Sequence, residues 1–330
     1  MQKATKVVIH MLKTTFNRFK LQFGIFFMLL ILIIIFMILS PSTFLSKRIY
    51  ISFMSTIPFA AILALGLTLV IISGDMDLSF PSVMAISGFT FSSLFLSTGN
   101  ALIALIAALM VGMGAGLING FIVVKIGVPS IIATIGMQFF WRGLTTVICE
   151  GMSNSIVAVR ETTLHPLFVG RVGSVIPAQA LWFLGIAIFL WSLLNRHTFG
   201  DSIRFIGDNT QTARIMGINV DYIRILVFVQ MGLLTAFSSV LVCFEMANWW
   251  PTQGEGYMLL VFASVFIGGT SVFGGRGTIV GTFIGSIIIG IIEAGVISSG
   301  YSGFWTRLIY GVIVVASVSV YAIMMKKKAL

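Results

Sequence analysis

Charge is what this chain has least of. Only 9% of its 330 residues are Asp, Glu, Lys or Arg, against roughly 25% in an ordinary soluble domain. With 58% of the residues hydrophobic, so few charged side chains cannot cover the outside of a water-soluble body of this length. Acidic residues are the scarcer sign, 10 against 20 basic ones, for a net charge of +10. The basic residues separate long apolar runs and form no basic face interleaved with aromatics, so no nucleic-acid partner is expected. Histidine and cysteine are nearly absent. His10, His165 and His197 sit in different loops without metal-ligand spacing. Cys149 and Cys243 read as free apolar thiols rather than a disulfide. No acids, histidines and nucleophile cluster at membrane depth, which argues against an intramembrane enzyme. A phosphate-binding loop is missing too. Gly269 to Gly274 has the right gap, but Gly275-Arg276 follows where Lys and Ser or Thr are needed. No cofactor is expected on this chain.

Long apolar runs are what it has instead. The first, Leu21 to Leu39, has no charge and as a helix covers about 28 Å, one hydrocarbon core. Ser40-Pro41-Ser42 offers no small-x-small cleavage site, so the run reads as a retained anchor. Further spans are expected near 51–73, 79–97, 100–124, 128–149, 177–194, 221–244, 257–273, 277–297 and 304–324. The fold class is therefore an all-α polytopic membrane protein of about ten transmembrane helices surrounded by lipid. One transmembrane domain, 21–325, lies between a basic segment, 1–20, and a short basic tail, 326–330. An even number of spans puts both termini on one side. Placing them in the cytoplasm puts 14 of the 20 Lys and Arg residues inside, among them Arg196, Arg204, Arg214 and Lys326 to Lys328. That orientation follows the positive-inside rule.

Two polar loops follow from this layout, about 150–176 outside and about 195–220 in the cytoplasm. In the second, Asp208 or Asn209 can cap a helix start and Gly217 can end it. The resulting helix of about two turns is too short to stand alone. It exposes Ile215 and Met216, which must pack on the chain's own surface or on another subunit. Elsewhere, Asp75 and Asp77 interrupt an apolar stretch, with Gly74 before them and Pro81 after. This is either a short polar turn at the inner face or a broken helix on a transport path. Gly268 to Gly277 interrupts the other half, and paired interruptions point to such a path. Gly112, Gly114, Gly116 and Gly120, and Gly277, Gly281 and Gly285, allow helices to approach closely within or between subunits. Glu245 and Glu293 lie near outer span ends, where Arg142 and Arg307 are expected to pair with them. Trp249-Trp250 reads as part of an interfacial aromatic belt.

The cytoplasmic loop resembles that of the ribose/galactose-type permeases of bacterial ATP-binding-cassette importers. Gly200, Ile206, Gly207, Asn209, Ala213, Arg214, Gly217 and Ile218 match the family's pattern, while Asp201 and Asp208 depart from it. Gly74-Asp75-Met76-Asp77-Leu78-Ser79, Leu117-Ile118-Asn119-Gly120, Arg142-Gly143-Leu144, Gly254-Glu255-Gly256-Tyr257 and Gly268-Gly269-Thr270-Ser271 are similar to further family stretches, in the same order. The resemblance implies an inner-membrane subunit that pairs with a second permease copy or paralogue and docks two cytoplasmic ATPases. ATP and magnesium would act on those partners. A periplasmic or lipid-anchored binding protein would deliver a monosaccharide. It also implies an ATPase-coupling segment of Gly200, Arg204, Gly207, Asn209, Arg214, Ile215, Met216 and Gly217. Asp75, Asp77, Ser79, Asn119, Thr270 and Ser271 would form the path or its gate. Met258-Leu259-Leu260 stands where the family continues Glu-Leu-Asp, and Pro81 where it prefers Gly. These departures leave nucleosides and other sugar-related solutes open as cargo. The alternative class is an ion-coupled secondary transporter using Asp75, Asp77 or Glu293.

Overall fold

The computed structural model describes residues 22–329, so the basic segment 1–20 lies outside it. Helix α1 (Gln22–Leu39) leads through a short α2 (Pro41–Phe44) to α3 (Lys47–Ile72), α4 (Phe80–Thr98), α5 (Ala101–Phe121) and α6 (Ser130–Ile148). After α7 (His165–Val169) come α8 (Ala178–Arg196), α9 (Thr198–Asp208), α10 (Thr210–Ile215), α11 (Val220–Met246), α12 (Tyr257–Ile267), α13 (Ile279–Ser298) and α14 (Phe304–Ala329). Strands among the described residues are two residues long. β1 (Asn154–Ser155) pairs antiparallel with β4 (Asn248–Trp249), and β2 (Arg171–Val172) with β3 (Ile176–Pro177). Eight of the helices are long and apolar enough to cross a membrane, and α12 and α14 add shorter apolar stretches. Helices satisfy every backbone group internally, which hydrocarbon demands. The protein is an all-α polytopic membrane protein.

The hydrophobic pattern decides which helices sit inside. From Ala61 to Ile72 every residue of α3 is buried, as expected of a helix that is apolar all round. α11 packs along α3, α4 and α5. The outer faces of α5, α6 and α8 expose Ile106, Met110, Ile132, Phe139, Ile188 and Phe189 instead. Water would not tolerate apolar faces of that extent, and lipid does.

Both glycine stripes are used within the chain except at Gly114, where a Cβ would have nothing within 4 Å. A Cβ on Gly112 would meet Ala236 Cβ at 2.5 Å, and one on Gly116 would overlap the Phe228 carbonyl of α11. One on Gly281 would overlap the Gly268 carbonyl, and one on Gly285 the Ser264 carbonyl. Small residues here let backbones touch inside one subunit.

Several expectations change. The span expected over 257–273 is helical only to Ile267, because Gly269 turns into the left-handed region at φ +79° and residues 270–278 run on without a helix. The loop expected over 195–220 contains a further helix, α9, whose Gly200, Ile203 and Ile206 are buried. Trp249 is no belt residue. It is fully buried and its Nε1 donates to the Ala85 carbonyl at 3.0 Å. Neither expected Glu–Arg pair forms. Arg142 donates to the carbonyls of Pro251, Gln253 and Pro81, and Glu245 accepts from Gln179 at 2.6 Å. Glu293 and Arg307 are not among the salt bridges of the described residues.

Candidate functional site

The segment between α8 and α11 is built from the chain outward. Gly200 lets α9 turn tightly off α8, since a Cβ there would overlap the Leu194 carbonyl. The Asn209 side chain then accepts from Thr212 N at 2.9 Å and caps α10, satisfying an amide that has no helical partner. Gly217, at φ +83°, ends the helix in the left-handed conformation. Ala213 is buried in a small cluster with Ile206 and Val220, so one side of α10 is anchored. The other side is bare. Ile215 is 87% exposed and Met216 57%. Arg204, on α9, turns instead to the end of α8 and donates to Asn195 Oδ1 at 2.7 Å.

Ion pairs tie this helix to the spans. Arg214 Nη2 lies 3.1 Å from Asp221 Oδ1 at the start of α11. The other carboxylate oxygen takes Lys125 Nζ at 2.9 Å, from the π-helical turn Ile122–Ile126 that extends α5. One turn further along α11, Arg224 grips Asp75 with two hydrogen bonds, Nε to Oδ2 at 2.7 Å and Nη2 to Oδ1 at 2.6 Å. Asp75 is only 3% exposed. A buried carboxylate needs such a partner.

Beyond Asp75 the α3–α4 break is held by a polar chain. Asp77 Oδ1 accepts from Ser79 N at 2.8 Å and from Ser79 Oγ at 2.5 Å. Ser79 Oγ accepts from Asn119 Nδ2 at 2.7 Å, and Asn119 Oδ1 from Trp141 Nε1 at 3.2 Å. All four side chains are buried. The chain fastens the break to α5 and α6.

Three glycine-bearing segments meet under α10. Gly275 N donates to the Ile72 carbonyl at 2.9 Å. A Cβ on Gly207, near the end of α9, would overlap that carbonyl and lie 2.5 Å from Gly275 N. A Cβ on Gly274 would lie 2.8 Å from the Gly207 carbonyl and 3.0 Å from Gly74 Cα. The end of α9 therefore touches the 73–79 break and the 268–278 break at one point, backbone on backbone. Thr270 and Ser271 belong to the second break and are buried. Ser271 Oγ accepts from Phe273 N at 3.2 Å.

Of the residues singled out from sequence, the structure brings Gly207, Asn209, Arg214 and Gly217 to α10 and its base. It gathers Asp75, Asp77, Ser79 and Asn119 into the clamp on the first break. Sequence reasoning missed Arg224, Asp221, Lys125 and Trp141. The signal was there, because an acid at membrane depth requires a cation and Arg224 stands within a span. Among the described residues no His, Cys, Asp and Glu cluster could hold a metal.

Comparison with known proteins decides the family. The family model for "Branched-chain amino acid transport system / permease component" matches residues 49–318. The chain belongs to this permease family. The ribose import permease protein RbsC of Escherichia coli is 35% identical to the permease over 295 residues, 88% of this chain and 91% of its own length. RbsC of Bacillus subtilis is 32% identical, covering 90% and 91%. The D-allose transport system permease protein AlsC of Escherichia coli is 30% identical, covering 90% of each. No solved structure matches. With its set of apolar helices, the permease is a multi-pass protein of the bacterial inner membrane.

Proposed function

We propose that this permease carries a monosaccharide, a pentose or hexose, inward as the membrane subunit of an ATP-driven importer. Relatives named for ribose and D-allose support the substrate class. Two cytoplasmic ATPases, a second permease copy or paralogue, and an external binding protein complete the machine. ATP and magnesium act on the ATPases. The face bearing α10 is cytoplasmic, in line with the positive-inside distribution.

The observation that carries this reading is α10 and its base. A helix of six residues is capped, ion-paired and anchored on one side, and among the described residues it leaves Ile215 and Met216 largely exposed. Such a pair is suited to seat in an apolar groove of a partner. The base of the segment abuts both helix breaks through glycine backbone, with no flexible side chain between to absorb a displacement. Movement of the partner would reach both breaks together. At the first break an ion-coupled reading is weaker, since Arg224 already neutralises Asp75, and Ser79 occupies Asp77.

Arg214→Glu reverses the contact with Asp221, and Gly217→Glu forces a residue with a Cβ into the left-handed region. Both are expected to abolish ATP-dependent sugar uptake while the chain still inserts in the membrane. Normal uptake in both variants would overturn the coupling role of this segment.

A further inference from the structure

We infer that the cavity between α3, α12, α13 and α14 is the intramembrane binding site for a polyhydroxylated ring. This deepens the importer reading and rests on it. The cavity holds about 860 Å³, inside the roughly 300–1,000 Å³ range of small-molecule sites. It lies at the end of the molecule away from α10. Its lining includes Trp250, Glu255, Tyr257, Glu293, Arg307 and Tyr310. Ser264 and Ser286 line it too, Ser286 lying about 10 Å along α13 from Glu293 at the helical rise.

Three observations select the ligand chemistry. Glu255, Glu293 and Arg307 are exposed, and none makes a side-chain hydrogen bond or salt bridge among the described residues. Charged groups left so within a membrane protein need water or a polar ligand around them. The two carboxylates can accept from hydroxyls and the guanidinium can donate to them, and the aromatic Trp250 and Tyr257 stand on the same lining. Two carboxylates and one guanidinium together offer both acceptors and donors, which a ring bearing hydroxyls can use. Finally, Met258 and Leu260, which replace the acids of the family pattern, both line this same wall. The wall here is more apolar than that pattern would make it.

The floor connects the cavity to the coupling site. Below Ser264 and Ser286, Gly285 and Gly281 of α13 close against Ser264 and Gly268, and Thr68 Oγ1 and Thr282 Oγ1 share a hydrogen bond at 2.7 Å. Immediately beyond lies the 268–278 break that touches Gly207. A cavity open at one face and sealed at the other, with its seal joined to the driven segment, is the arrangement alternating access requires.

The test uses the complete importer, this chain with its own ATPases and binding protein, and D-ribose, D-allose and L-arabinose as probes. Glu255→Gln and Glu293→Gln alter exposed groups that no side chain of the protein hydrogen-bonds, so the amount of chain in the membrane should not change. Initial uptake is expected to fall about ten-fold in each, the effect of losing one charge-assisted hydrogen bond to the cargo. Unchanged uptake in both overturns the assignment. Ile215→Asp, assayed beside them, separates the two claims: loss of uptake there preserves the importer reading, and normal uptake removes it. A second measurement is independent of transport. Glu293→Cys should react with a membrane-impermeant thiol reagent applied from the face opposite α10, and the probe sugar that is carried should slow that reaction. A cysteine that does not react, or reacts at the same rate with that sugar present, contradicts the site.

Discussion

At the residue scale, the proposed coupling rests on glycines whose missing side chains leave room for other backbones. Gly207 is the sharpest case, with the Ile72 carbonyl standing where its Cβ would be. Gly207→Ala must push two segments apart, at a cost of about 1–3 kcal/mol for overpacking. Gly114, on α5, has nothing within 4 Å of where a methyl group would stand, and Ala there should gain up to about 1 kcal/mol of helix propensity. Thermal unfolding in detergent should therefore move in opposite directions for the two variants. The sequence places Gly207 in the loop that matches the family pattern and Gly114 in a stripe read as allowing close approach, and shows at neither what a methyl group would meet. The difference lies in a contact between residues 72, 207 and 275, which no local pattern encodes. The same limit applies to Trp249. Its neighbour Trp250 and the following Pro251 give it the look of an interfacial residue, and only the closeness of α4 shows that its indole is buried on Ala85.

At the scale of elements the decisive contact is the clamp of α11 on the α3–α4 break. Asp75 is buried and Arg224 is 22% exposed at its side chain, so solvent screens the pair little. Removing one partner leaves an uncompensated charge, and Asp75→Asn should destabilise the protein by about 3–5 kcal/mol. Replacing both, Asp75→Asn with Arg224→Met, should restore part of that loss. A double-mutant cycle of thermal unfolding measures this, and strictly additive effects would show that the pair does not interact. Much of the element plan was legible beforehand. Apolar length alone located the spans, and Asn209 with Gly217 bounded α10 by capping chemistry. Helix α9 was not legible, because Thr198 to Asp208 is polar enough to read as a loop and its helicity depends on burying Ile203 and Ile206. The end of α12 was half legible: Gly268 to Gly277 marked an interruption, but the apolar run was drawn through it to 273, and the left-handed turn at Gly269 is what ends the helix. The pairing of Asp75 with Arg224 spans 149 positions. Membrane depth gave the need for a cation without naming it.

For the whole molecule, the proposed function makes the helices, the two breaks and the cavity one mechanical path. Displacement at α10 would reach Gly207, then the breaks at 73–79 and 268–278, then the contacts beneath Ser264 and Ser286. No step in that path requires a group that titrates, so coupling should depend on the partner docked at Ile215 and Met216 rather than on an ion gradient. The central claim is that α10 docks an ATPase. It is tested most directly by purifying the tagged chain from its own host in gentle detergent and identifying what accompanies it. A P-loop ATPase is expected with the parent chain and should be lost with Ile215→Asp, a change at an exposed side chain that leaves the fold intact. Recovery of the chain alone, or equal recovery of the ATPase with the variant, would contradict the claim.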